Sequence, residues 1–286
     1  MRLIDTHLHL WDPDLFDYPW LDEIPPLRRK FGPTELAAAS TPADDELREY
    51  VFMQADCTAS QATAEVDWVT SLAGDAPIRG IIAFAPVENH VGLGKALDHY
   101  ASRPLVKGIR RLLQSEPADF SQSNAFLDGA RRVAAAGLTF DACVTSEQLP
   151  QVALLARNVP ELPIILDHLG KPAIGETGIA DRLGFDRWRD DLRTVAAEPN
   201  VWVKLSGLPA QSTPAWTPSL FTPYLDTAIE AFGADRMVFG SDWPASSQQS
   251  SYQRWQEFVH NWLTTSTGGE GADNVRFANA QHVYRL

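Results

Sequence analysis

Four residues carry most of the chemistry this sequence offers: His7 and His9 in Leu3-Ile4-Asp5-Thr6-His7-Leu8-His9-Leu10, His168 after Asp167, and Asp242 after Ser241. In an extended chain residues two apart share a face, so Asp5, His7 and His9 point the same way. The two imidazoles then lie about 7 Å apart along that face and can converge on one ion or one substrate atom. A lone His-x-His is a weak signal. Three imidazoles and a carboxylate gathered in one place suit a Zn2+ site with a position left for water. They suit equally a set of donors around a carbonyl, with the carboxylate as base. Each also has an ordinary use: His168 could simply end a strand, and Asp242 could cap a helix in Ser241-Asp242-Trp243-Pro244.

The elements that carry these residues decide whether they meet. Eight short apolar stretches read as strands, at residues 3–10, 50–56, 80–85, 106–111, 138–143, 163–168, 201–206 and 236–242. Between them lie helical patterns. One runs over 58–73 with Ala62, Val66, Val69 and Ala73 in step; Ser123 is expected to cap a second, bearing Phe126, Leu127, Ala130, Val133 and Ala134. Ser146 is expected to cap a third, bearing Leu149, Val152, Ala153 and Ala156. Trp188, Leu192, Val195 and Ala196 keep the same stride, as do Tyr224, Ala228 and Phe232, and then Tyr252, Trp255, Val259 and Trp262. Strands alternating with helices imply parallel pairing, and eight such units imply a (β/α)8 TIM barrel, one α/β domain over residues 1–286. No Gly-x-Gly-x-x-Gly follows an early strand, which argues against a dinucleotide fold.

In a barrel the strand ends face the mouth, and four of them end in the residues named first. Strand four ends in Arg110 or Arg111, register deciding which faces inward, and strand seven carries Lys204; either could grip substrate. Three long connections leave the same face, at 11–35, 169–185 and 207–218. Trp11, Trp20, Trp216 and Trp243 could offer flat apolar surfaces to a bound ring, Trp20 and Trp243 foremost.

Composition bounds the partners. The 286 residues are 44% hydrophobic and 21% charged, an ordinary globular balance. A formal charge of −13 disfavours nucleic acid and anionic membranes. No apolar run reaches the roughly 18 residues of a membrane span, and no secretory signal is visible. Cys57 and Cys143 are far apart without CxxC partners, as expected of reduced thiols in a cytoplasmic protein. Oligomeric state is left open.

The motifs Asp5-Thr6-His7-Leu8-His9, Leu166-Asp167-His168-Leu169-Gly170-Lys171-Pro172 and Phe239-Gly240-Ser241-Asp242-Trp243-Pro244 resemble the amidohydrolase superfamily. More narrowly they resemble amidohydrolase family 2, in its sugar-lactonase and pyrone-dicarboxylate-lactonase branch. Tyr18-Pro19-Trp20-Leu21, Lys107-Gly108-Ile109-Arg110 and Val201-Trp202-Val203-Lys204-Leu205-Ser206-Gly207-Leu208 look most like L-fuconolactonase- and L-rhamnonolactonase-type proteins. The resemblance implies a barrel that hydrolyses a lactone. Binuclear members carry a bridging Lys or Glu on strand four and a His on strand five; here stand Lys107-Gly108-Ile109-Arg110 and Asp141. A two-metal site is therefore not expected. One divalent cation such as Zn2+, on His7, His9, His168 and Asp242, and metal-free action both stay open.

The expected reaction is opening of a neutral sugar lactone to its aldonic acid. Asp242 would serve as general base and then acid, with His7, His9 and His168 polarising the carbonyl directly or through one metal. A pyrone dicarboxylate is the first alternative and would demand several convergent arginines. Zn-dependent decarboxylation or C–C hydrolysis on the same scaffold, and a catalytically dead barrel kept for binding, are the others.

Overall fold

The computed structural model describes residues 2–41, 46–175 and 182–286. Part of the expected 169–185 loop therefore lies outside the described residues. Eight parallel strands pair in chain order: β1 Arg2–Leu8, β2 Leu47–Met53, β3 Ile78–Phe84, β4 Val106–Arg110, β5 Thr139–Ala142, β6 Ile164–Leu166, β7 Val201–Leu205 and β8 Met237–Phe239. The circle closes between the last strand's loop and the first strand. Leu8 bridges Trp243, the Asp242 amide donates to the His7 carbonyl (2.8 Å) and the His9 amide to the Trp243 carbonyl (2.8 Å). Among the described residues these contacts cover the free side of β1 at its upper end.

A short helix α1 (Pro33–Ala39) follows the first long loop. The crossovers are α2 (Ala62–Ser71), α3 (His90–Tyr100), α4 (Asn124–Ala135), α5 (Leu149–Asn158), α6 (Arg182–Ala196) and α7 (Pro218–Phe232), and α8 (Tyr252–Asp273) follows the last strand. Their buried residues are the ones at helical spacing, such as Trp255, Val259 and Trp262 on α8. Ser123 caps α4 by accepting from the Phe126 amide (3.3 Å). The expected Ser146 cap is corrected by one residue. Thr145 takes that place, and its amide donates to the Gln148 side chain three residues on (2.9 Å), the reciprocal half of a capping box. No described helix is long and apolar enough to cross a membrane.

Most strands are shorter than their apolar patterns, while β2 and β3 begin earlier than expected, at Leu47 and Ile78. β6 ends at Leu166 and β8 at Phe239, so His168 and Asp242 sit past the strands, in left-handed backbone at φ 56° and 58°. That turn re-aims each side chain over the barrel mouth. The opposite end is sealed by a last helix, α9 (Asn279–Tyr284). Its Ala280, Val283 and Tyr284 pack on Ile4, Val51, Met53, Ile82, Ile165 and Val238, the interior layer of the barrel.

The aromatic first loop is tied down rather than free. Trp11 Nε1 donates to the Arg29 carbonyl (2.9 Å), Trp20 Nε1 to the Ala55 carbonyl (2.8 Å), and Tyr18 OH to the Glu65 carboxyl (3.2 Å) on α2. Burial pushes Glu65 up to about 7, against the pull of the Tyr18 hydroxyl and the Ala55 amide. The folded chain thus holds this proton more tightly than the unfolded chain, whose carboxyl titrates near the ordinary 4.5. Its stabilising contribution, on the order of 3 kcal/mol, is complete below the unfolded value and is lost as pH rises through about 7. Thermal unfolding followed from pH 5 to pH 8 should show Glu65→Gln losing less stability than the wild type as pH rises. Parallel curves would contradict a buried, neutral Glu65.

Candidate active site

The mouth of the barrel opens into a cavity of about 420 Å³. His9, His168, Asp242, Arg110 and Trp20 line it, and His7 lies directly beneath. The four residues expected to cluster do so. Asp242 Oδ1 stands 3.6 Å from His9 Nε2 and 3.7 Å from His7 Nε2, and the His7 and His168 rings lie 4.4 Å apart. All four are at least 93% buried, so their partners decide their charge.

Those partners are informative about protons. His9 Nδ1 lies 2.9 Å from the Met53 carbonyl, which can only accept, so Nδ1 carries the hydrogen and Nε2 presents a lone pair. Arg110 lies 3.4 Å from His7 Nε2 and can only donate, so His7 also turns a lone pair toward the cavity. His7 Nδ1 faces both Asp167 Oδ1, an acceptor, at 3.3 Å and the Lys204 ammonium, a donor, at 3.3 Å. His168 Nδ1 pairs with the Ser206 hydroxyl at 2.9 Å, which leaves Nε2 for the cavity. Burial holds His7 well below the usual histidine range and His168 near 4. Burial alone would raise Asp242, but His168, His9 and His7 outweigh it and hold the carboxyl well below the ordinary range. Near neutrality the site is an ionised carboxylate among neutral His7 and His168.

Lys204 does not line the cavity. Its ammonium is wholly buried below it, 2.6 Å from Asp141 Oδ1, 2.9 Å from Asp167 Oδ1 and 3.3 Å from His7 Nδ1. Tyr284 OH, reaching up from α9, donates to Asp141 at 2.8 Å. Arg110 adds a second cation, 3.6 Å from Asp167 Oδ2. Burial works against charge on Asp141, Asp167 and Lys204. It pushes Asp141 up to about 6 with Lys204 pulling back, whereas Lys204, His7 and His168 carry Asp167 well below its ordinary value despite burial. The two carboxylates in turn keep Lys204 charged.

The register question on β4 is resolved. Arg110 faces inward and donates to the Gln54 carbonyl, while Arg111 turns outward to Glu88 and Glu116 and stacks over Phe120. Trp20 reaches the cavity; Trp243 is 4% exposed and packs edge-on against Phe31 instead. Trp11 is sealed in the loop, and Trp216 packs on Phe221 and Phe258 away from the mouth. Sequence reasoning gave no role to Asp167 or Tyr284. The available signal was Lys204 itself, a charge on the inward face of an apolar strand, which has to find counter-charges inside the barrel.

Two donor sets have ligand atoms within 4.8 Å of one another among the described residues: His7, His9 and Asp242, and His7, Asp167 and His168. In the first, two imidazole lone pairs and an ionised carboxylate converge, which favours a cation between them. That set fits one divalent ion. The second set is already balanced by Lys204 and Arg110, and an added metal there would meet two fixed positive charges.

The buried ammonium makes a stability test. Lys204→Met keeps the stem and removes the charge, leaving Asp141 without an internal cation and Asp167 with Arg110 alone, at a cost of about 3–5 kcal/mol. Urea denaturation should show that loss; an unchanged midpoint would mean the two carboxylates need no internal cation.

Comparison with known proteins agrees with this architecture. The chain is similar to the L-fucono-1,5-lactonases of Burkholderia ambifaria, 30% identical with 99% of this chain and 95% of that protein covered, and of Burkholderia multivorans, 31% identical with 99% and 96% covered. A crystal structure of an amidohydrolase from Burkholderia multivorans with bound zinc, 27% identical, superposes with a TM-score of 0.86 over the whole of both chains. The sequence profile of the amidohydrolase family matches residues 4–266. This chain is a member of the amidohydrolase family, built as a single (β/α)8 barrel.

Proposed function

We propose that the protein opens sugar lactones, of the L-fuconolactone kind or a related aldonolactone, to the corresponding acids. The observation that carries this reading is the ionised Asp242 held over neutral His7 and His168 at the floor of a cavity that admits a ring-sized ligand. The similarity to two L-fucono-1,5-lactonases supports the choice of substrate class.

Asp242 takes a proton from water, and the oxygen attacks the lactone carbonyl. The developing oxyanion needs donors. The Nε2 atoms of His7 and His9 face Asp242, so the direct role fits His168 Nε2–H, with Ser206 donating to Nδ1, and the Arg110 guanidinium beside it. Protonated Asp242 then returns its proton to the departing ring oxygen. His7, His9 and Asp242 are the residues that would hold one Zn2+, which when bound supplies Lewis-acid polarisation. Below them Lys204 and Asp167 meet His7 Nδ1 and hold its ring in place.

A dicarboxylate pyrone is less well matched. The cavity offers it two cations, Arg110 and Lys171, and sets Asp56 and Asp242 against its charge.

Asp242→Asn keeps the shape and removes the base. Its turnover of an aldonolactone should fall by about 10²–10⁴, with the thermal midpoint near that of the wild type. A folded Asp242→Asn protein that keeps wild-type kcat would rule this role out.

A further inference from the structure

Backbone strain picks out residues to which the reaction above gives no part. Six described non-glycine residues have positive φ: Asp56, His168, Leu169, Lys171, Asp242 and Arg285. Such conformations cost L-residues energy and gather where a side chain must be aimed. Four of the six, Asp56, His168, Lys171 and Asp242, line the one cavity at the barrel mouth. His168 and Asp242 are there for the chemistry. Asp56 and Lys171 are held the same way without a catalytic task.

Lys171 already has a partner, the Gln114 side-chain carbonyl on the neighbouring wall. Asp56 has none. At φ 59°, just past the end of β2, its backbone amide is fixed by the Gln54 side chain (2.6 Å), while its carboxylate makes neither hydrogen bond nor ion pair among the described residues. The basic residues on the same side are committed elsewhere: Arg110 to Gln54 and Asp167, Arg111 to Glu88 and Glu116. The carboxylate is exposed on the cavity wall, so a ligand entering the mouth meets an acceptor-only group that no protein donor occupies. The ligand class that offers donors without charge is a polyol, whose adjacent hydroxyls can give one hydrogen bond to each oxygen.

We propose that Asp56 is the hydroxyl-recognising residue of this site, accepting from a vicinal diol of the lactone ring. In this role it selects polyhydroxylated neutral lactones over unsubstituted ones and repels anionic lactones. The substrate arm of the proposal rests on the lactonase reading; the binding arm does not.

The test uses the full chain and two variants compatible with left-handed backbone. Asp56→Gly removes the carboxylate where glycine is unstrained, and Asp56→Asn keeps the shape without the charge. The first readout is the ratio of kcat/KM for L-fuconolactone to that for δ-valerolactone. Losing hydrogen bonds to a charged acceptor should lower this ratio roughly 10- to 100-fold in Asp56→Gly, mainly through KM for the sugar lactone, with a smaller fall in Asp56→Asn. The second readout is calorimetric affinity for the matching non-hydrolysable lactams, a hydroxylated aldonolactam against δ-valerolactam. It reports on Asp56 even if the wild type opens no lactone, an outcome that would count against the lactonase reading alone. The wild type should prefer the aldonolactam, and Asp56→Gly should lose that preference. An affinity ratio unchanged in Asp56→Gly, or a wild type without preference, overturns the assignment.

Discussion

The ammonium of Lys204 is the charge on which the interior of this barrel depends. A parallel barrel normally fills its centre with branched apolar side chains, and here Ile4, Val51, Ile82, Ile165 and Val238 do so at one end. Above them two carboxylates, Asp141 and Asp167, enter the same wholly buried space. Neither could stay ionised there unpaired, because burial of a lone carboxylate costs several kcal/mol even after relaxation. Lys204 on β7 bridges them, and Tyr284 from the last helix satisfies Asp141 from below. The C-terminal helix therefore reaches the active site through one hydroxyl, one carboxylate and one ammonium.

This interior charge also sets what the mouth can do. With Asp167 compensated by Lys204 and Arg110, His7 stays neutral, its Nδ1 held from beneath between the Asp167 carboxylate and the Lys204 ammonium. His9 is oriented by a backbone carbonyl. Both rings then turn lone pairs toward Asp242, so the upper position is arranged for one cation or proton and the lower one holds its own. In the proposed lactone opening, the work of donating to an oxyanion passes to His168 and Arg110. The site separates its protonation states by environment, the pattern that lets acid and base chemistry coexist near neutral pH.

Much of this was legible in the chain. The eight strands, the parallel order and the buried stripe of Tyr252, Trp255, Val259 and Trp262 follow from periodicity, and His7, His9, His168 and Asp242 follow from strand ends in a barrel. Three things were not. Strand register at β4, which turns Arg110 in and Arg111 out, depends on pairing with β3 and β5, and apolar patterning does not fix it. The left-handed turns at Asp56, His168 and Asp242 carry no glycine to announce them. Long-range partners were hidden as well: Lys204 reads as a residue at the site until Asp141 and Asp167 are seen around it, and Trp243 reads as a sugar platform until Phe31 covers it.

Whether these groups act together on a lactone is decided most directly by substrate. A pH-indicator assay of purified protein against a panel of aldonolactones and a pyrone dicarboxylate lactone, with and without added Zn2+, measures acid release from each ring. Turnover of one or more aldonolactones, exceeding that of the pyrone, is the result this account predicts. Turnover of the pyrone alone, or of no lactone under either condition, would contradict it.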